Sequence, residues 1–188
     1  MLYLVTQNKE KIRAASRSFE NTGISLLPVD RDYPEIQADT SAEIARIAAL
    51  EAARDYQHPA IREDHSLFIR HLGIPGPYTQ YIERMMPAEK LLELLSGAPD
   101  RTGYFELSAA YAEPSGFFKD FTYKVEIHIK EHIEVPDNHG GWNGVLALAG
   151  DQRAFTEYPE TERVDVWRKN FDAIAVFLTD RGQTPKIG

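Results

Sequence analysis

The sequence predicts an α/β protein in which a mixed, twisted β-sheet is flanked by helices. Three observations predict it. Short apolar segments rich in Leu, Val and Ile alternate with helical stretches through the first third of the chain, the order typical of α/β folds. From Gly103 to His132 the pattern becomes two-residue alternation, as in a half-buried antiparallel pair. The composition, 43% hydrophobic and 27% charged over 188 residues, is that of an ordinary globular protein.

Leu2 to Val5 is short and apolar and reads as a buried strand. Thr6-Gln7-Asn8 follows, with Asn8 as the cap of a helix from Lys9 to about Asn21. Ile24 to Val29 reads as a second strand, and Asp30 to Glu35 as a polar loop containing Pro34. Asp39-Thr40-Ser41 opens a long helix whose Ile44, Ile47, Ala48 and Ala52 recur at helical spacing as far as Tyr56. Pro59 to Asp64 is a strand ending in acids, and Leu67 to Ile69 a further short strand. Gly73-Ile74-Pro75-Gly76-Pro77 is a dense turn. Two helices follow, Tyr78 to Met86 and Ala88 to Leu95, separated by Pro87.

The alternating pair turns near Pro114-Ser115-Gly116. Val135 to Gly144 is a Gly-rich loop, Val145 to Leu148 a strand, and Glu160 to Leu178 one closing helix. No repeat, linker or low-complexity tract interrupts the chain, so one domain over residues 1–188 is expected. A chain this long removes roughly 70% of its unfolded surface on folding, enough for a core without staples.

Charge and composition exclude some functions. With 29 acids against 21 bases the formal charge is -8, which argues against nucleic-acid binding through a basic face. A nucleotide remains a suitable ligand, because a few local bases and a divalent cation hold a triphosphate. There is no cysteine, hence no disulfide framework, in keeping with a reducing cytoplasm. No apolar run approaches the roughly 18–20 residues of a membrane helix. Leu2 to Val5 lacks the basic leader of a signal peptide.

Three places carry candidate chemistry. The strand–Thr6-Gln7-Asn8–helix unit presents free backbone N–H groups beside Lys9 and Lys11, a setting for phosphate. The same residues equally describe a capped helix with solvated lysines. Glu35, Glu63 and Asp64 are carboxylates after or at the end of strands. Magnesium on a triphosphate takes one or two carboxylates, and attack on phosphorus wants a group that orients or deprotonates water. The turn ending in Tyr78 offers an aromatic face to a base, or a core residue. His128, His132 and His139 lie on a strand and a loop without a second ligand pair and are read as surface or packing residues.

These motifs and their order resemble the inosine triphosphate pyrophosphatase family. The run Thr6-Gln7-Asn8-Lys9-Glu10-Lys11 is similar to the family's Thr-x-Asn-x-x-Lys. Glu63, Asp64 and Leu67 match its acidic strand motif, and Pro75, Gly76 and Tyr78 its Pro-Gly-x-Tyr turn. Pro34-Glu35, Glu51-Ala52-Ala53 and Asp100-Arg101 fall in the family's order. The likeness is good over about residues 1–112. It implies an elongated sheet, two lobes with the nucleotide between them, and commonly a homodimer. It also implies cleavage of inosine, deoxyinosine and xanthosine triphosphates to monophosphate and pyrophosphate with Mg2+. By carry-over Thr6, Asn8 and Lys11 hold phosphates, Glu35, Glu63 and Asp64 bind metal, and Asp64 activates water.

The last third departs from the family. Gly140-Gly141-Trp142-Asn143-Gly144 stands where the family has Phe-Gly-Trp-Asp-Pro, and Trp167-Arg168-Lys169 where it has Ser-His-Arg. Ala48 occupies the place of a phosphate-directed lysine, with Arg46 nearby on the helix, and Ala14 the place of an acid. His65 and Ser66 replace a hydroxyl residue and glycine after the acidic pair. Trp142 and Asn143 remain able to stack on and hydrogen-bond a base, and Arg168 keeps positive charge, so Tyr78, Trp142, Asn143 and Arg168 form the expected base side. Three readings follow: an active pyrophosphatase of deaminated purine triphosphates; a sensor that keeps the cleft, has lost the chemistry and regulates an effector partner, for example in bacterial anti-phage defence; or a structural α/β subunit with a vestigial cleft.

Overall fold

A computed structural model describes residues 1–30, 36–137 and 141–182. In chain order the elements are β1 (Leu2–Val5), α1 (Lys9–Phe19), β2 (Leu26–Val29), α2 (Ser41–Tyr56), β3 (Ala60–Ile69), β4 (Ile74–Gly76), α3 (Thr79–Met85) and α4 (Ala88–Leu94). They continue with β5 (Thr102–Ala112), β6 (Phe118–Ile129), β7 (Leu146–Leu148), a 3-10 turn at Phe155–Glu157, α5 (Glu160–Trp167) and α6 (Lys169–Asp180). The sheet runs β2-β1-β3-β5-β6-β7, with β4 paired to β3. It is mixed, as expected: β1 lies parallel to β2 and β3, whereas β4 is antiparallel to β3 and β7 to β6.

The chain divides into two compact units. The first holds residues 1–64, 107–123 and 164–188. Its central strands, β1 and the last half of β5, are buried on both faces, and the two-residue period sorts their side chains. Leu2 and Leu4 of β1, with Ala109 and Tyr111 of β5, join Ala14, Ala15 and Phe19 of α1 and Phe171, Ile174 and Leu178 of α6. Val5, Ala110 and Ala112 face the other way, onto Ala45, Ala49, Ala52 and Ala53 of α2. The alanines let α2 lie close to the sheet. Thr40 caps α2 by accepting from the Glu43 N–H at 3.2 Å. Ala48, where a phosphate-directed lysine was sought, is buried. Arg46 pairs with Asp120 through Nε at 2.9 Å and through Nη2, its guanidinium 4.8 Å from the Phe118 ring centre.

The second unit holds residues 65–106 and 124–163. Here Arg101 ties three carbonyls together, donating to Leu95 at 2.8 Å, to Ile129 at 3.0 Å and to Lys130. Gly103 permits a close strand approach: a β-carbon there would stand 2.5 Å from the Phe68 carbonyl oxygen. Gly76 takes φ +61, the left-handed region that glycine enters without strain. The Thr79 hydroxyl closes that turn, donating to the Gly76 carbonyl and accepting from the Leu67 N–H, both at 2.7 Å.

Two boundaries differ from the sequence reading. β3 is one continuous strand, so Glu63 and Asp64 sit within it and not at its end. The acids do not break it, because Glu63 finds partners inside the core. The closing helix is two helices, α5 and α6, interrupted at Arg168. Glu35, Pro34, His139 and Gly140 lie outside the described residues.

Candidate active site

The turn from β1 into α1 is organised by its own polar side chains. Thr6 Oγ1 accepts from the Asn8 N–H at 3.1 Å. Asn8 Oδ1 accepts from the N–H groups of Glu10 at 2.9 Å and Lys11 at 3.3 Å. Asn8 is therefore the helix cap that its position suggested, and it satisfies two of the donors a helix start leaves open. The capping geometry also sets the first turn of α1, and with it the direction of Lys11.

Lys11 reaches from that turn to β3. Its Nζ donates to the carbonyl of Glu63 at 3.1 Å, the peptide group that links Glu63 to Asp64. The same ammonium forms an ion pair with Glu63 Oε2 at 2.8 Å. Glu63 is 2% exposed. Its other oxygen, Oε1, accepts from Nδ2 of Asn170 at 3.2 Å, and Asn170 is fully buried near the start of α6. A buried carboxylate is costly unless paired and hydrogen-bonded; this one has both. Asp64 follows it on β3, half-buried. The first unit thus brings together Thr6, Asn8 and Lys11 of the β1–α1 turn, Glu63 and Asp64 of β3 and Asn170 of α6, from three separated segments. Asn170 was not visible in the sequence, where Lys169-Asn170-Phe171 read as ordinary helix.

Arg168 belongs to the same unit. It occupies the break before α6, with Nε 3.4 Å from Asp165 and 3.5 Å from Asp172. Its charge is balanced by carboxylates on its own two helices.

Tyr78, Trp142 and Asn143 lie in the second unit. Tyr78, at the start of α3, is 45% exposed and offers an open ring face. Trp142 is 1% exposed, and its indole N–H donates to the Met86 carbonyl at 2.8 Å. Both its ring and its polar handle are spent on packing, so it holds the loop in place and gives a base no open surface. Asn143 is exposed, and its Nδ2 donates to Asp137 Oδ2 at 2.9 Å. Beside it, burial raises the Glu83 carboxyl above its ordinary value. A hydrogen bond from the Trp142 backbone N–H opposes that rise, and repulsion from Asp137 adds to it. Among the described residues no group of three or more His, Asp or Glu side chains is placed to hold a metal. Nor is any helix among them long and apolar enough to cross a membrane.

Comparison with known proteins agrees with this architecture. The sequence profile of the Ham1 family matches residues 2–175. A dITP/XTP pyrophosphatase of Ignicoccus hospitalis is 38% identical over 182 residues, covering 95% of this chain and 96% of that protein. A protein of the same name from Methanopyrus kandleri is 33% identical over 162 residues, 86% of each chain. Among solved structures, the Staphylococcus aureus Ham1 protein superposes with a TM-score of 0.79 at 20% identity, over 96% of this chain and 100% of that one. A HAM1 protein from Coxiella burnetii gives 0.77 at 22% identity, over 95% and 98%. At such identities the structures speak for the fold, and the sequence relatives for the family.

Proposed function

This chain belongs to the Ham1 family, and we propose that it is a metal-dependent pyrophosphatase of deaminated purine nucleoside triphosphates such as dITP, ITP and XTP. The observation that carries the reading is the placement of Lys11 on the peptide between Glu63 and Asp64. It sets a cation on the peptide group that precedes the carboxylate proposed to activate water. The relatives covering most of the chain are named for this reaction.

Water attacks the α-phosphorus and the bond to the bridging oxygen breaks. The nucleoside monophosphate and pyrophosphate leave, and the proton of the water passes to the Asp64 carboxylate. Lys11 receives phosphate oxygens, and Thr6 and Asn8, whose side chains take the Asn8, Glu10 and Lys11 N–H groups, hold the turn that presents it. Catalysis of this kind is chiefly positioning and charge stabilisation.

The donor chemistry suits a hard divalent ion, for which we propose Mg2+. Such an ion takes one or two carboxylates besides the phosphates. Asp64 supplies one and Glu35 is assigned as the other. Glu63 fits less well, because its two oxygens face Lys11 and Asn170. The metal, when bound, neutralises charge on the phosphates.

On the base side, Tyr78 provides the stacking face and Asn143 an amide whose orientation Asp137 sets. The resemblance assigns Arg168 to the base as well, although Asp165 and Asp172 already face its guanidinium. The same reading makes the protein a cytoplasmic homodimer, with light scattering of the purified chain as the check. The named relatives lend no support to a sensor acting on an effector partner.

The test is pyrophosphate release from a panel of deaminated and standard triphosphates with Mg2+. Turnover of dITP or XTP is expected. Asp64→Asn should lower kcat by about 10²–10⁴-fold, the usual contribution of a positioned acid–base group. Absence of turnover on every nucleotide would sink the reading.

A further inference from the structure

We infer that Glu63 and Asn170 are positioning residues that aim the Lys11 ammonium at a polyphosphate anion. The identity of that anion as a nucleotide's phosphate chain rests on the function proposed above. The aiming itself rests on three contacts within one compact unit.

An ammonium carries three donors. Lys11 gives one to the Glu63 carbonyl at 3.1 Å and faces Glu63 Oε2 at 2.8 Å. Both contacts come from one residue, main chain and side chain together. A four-carbon stem that would otherwise sweep many rotamers is held at one point of β3. The side chain keeps 19% exposure, so a donor remains for an anion arriving from solvent.

Glu63 needs holding in turn. Asn170 does this with an orientation that the network decides. Its Oδ1 accepts from the Phe171 N–H at 2.8 Å. That bond turns Nδ2 toward Glu63 Oε1 at 3.2 Å. The amide is fully buried, so it is not free to turn to water. The relay therefore runs from the start of α6 through β3 to α1, and α1 and α6 pack on the same core cluster.

Stability alone gives little reason for this arrangement. A buried ion pair is often replaceable by apolar side chains at no cost, or with a gain. An apolar trio at these positions would serve packing equally well. What packing does not require, and the structure provides, is a lysine ammonium held by the carbonyl and the carboxylate of one residue, on a side chain that keeps 19% exposure.

The experiment measures binding of inorganic tripolyphosphate by calorimetry on the full chain, for wild type, Glu63→Gln, Asn170→Leu, their double variant, and Lys11→Met. Glu63→Gln keeps shape and removes the charge; Asn170→Leu keeps volume and removes the donor. Each single variant is expected to weaken binding about tenfold, about 1.4 kcal/mol. The double variant should be no weaker than the poorer single, because all act through one ammonium. In the Lys11→Met background, Glu63→Gln should add nothing further.

The inference is overturned if wild type binds no tripolyphosphate, or if folded variants bind as wild type does and only their Tm falls. Should Asn170→Leu fail to fold, the isosteric Glu63→Gln and its cycle with Lys11→Met decide alone. Nucleotide turnover, read separately on wild type, decides the proposed function: binding without turnover leaves the relay standing and removes the enzyme.

Discussion

The β1–α1 turn of the first unit and the Gly-rich loop of the second both carry side chains assigned to ligand, yet they are held in opposite ways. In the first unit the polar groups are paired across the fold, Glu63 of β3 and Asn170 of α6 buried and Lys11 of α1 partly so. In the second unit the large aromatic is buried and the polar groups stay near the surface. Trp142 is locked under the loop, while Asn143 and Tyr78 remain exposed. The proposed phosphate side is fixed by long-range pairs of charges and amides. The proposed base side is a loop anchored by one indole, with Asn143 held by Asp137 six residues away, and the exposed Tyr78 at the start of α3. Charge positions can be kept this way while a base preference drifts, because exposed loop residues change without disturbing a core.

The largest expected effect lies in the anchor. Trp142→Ala removes a fully buried indole and its hydrogen bond, and should cost about 3–5 kcal/mol of stability, read by denaturant unfolding. If the loss is under 1 kcal/mol by that measure, the indole is not the anchor described. Tyr78→Ala sharpens the same contrast. The ring is exposed, so stability should change little. Substrate binding should weaken by about 1–3 kcal/mol, the worth of one base–aromatic stack. An unchanged KM would remove Tyr78 from the base side.

The smallest effect is a pH dependence confined to the second unit. Burial first, and Asp137 after it, raise the folded-state value of Glu83. A carboxyl raised on folding contributes stability that is full below its unfolded value and is lost as pH rises through the folded one. Glu83→Gln should therefore raise Tm at neutral pH, with the gap closing below the usual carboxylate range. Parallel curves at all pH values would show that Glu83 is not shifted.

What was legible in the sequence follows from range. The Asn8 cap and the helical period of α2 are local patterns; the cap formed where its position placed it, and α2 buries Ile44, Ala48 and Ala52 of that period together with Ala45, Ala49 and Ala53, which the spacing did not mark. The mixed sheet followed from alternation and the order of elements. β3 ran on through Glu63 because a partner 107 residues away satisfies the acid. No local rule announces such a partner. For the same reason Asn170 went unread, and the break at Arg168 was hidden inside a continuous apolar period. The family resemblance puts Trp142 on the base side, but its indole N–H is met by the Met86 carbonyl at a distant helix end, which no local pattern announces.

The central claim is that Asp64 drives attack on the α-phosphorus of a deaminated purine triphosphate, and phosphorus NMR of dITP incubated with Mg2+ tests it most directly. Monophosphate and pyrophosphate are the expected products, with turnover collapsing in Asp64→Asn while triphosphate binding persists. Release of orthophosphate with a diphosphate left behind would contradict it, as would an Asp64→Asn protein that turns over like wild type.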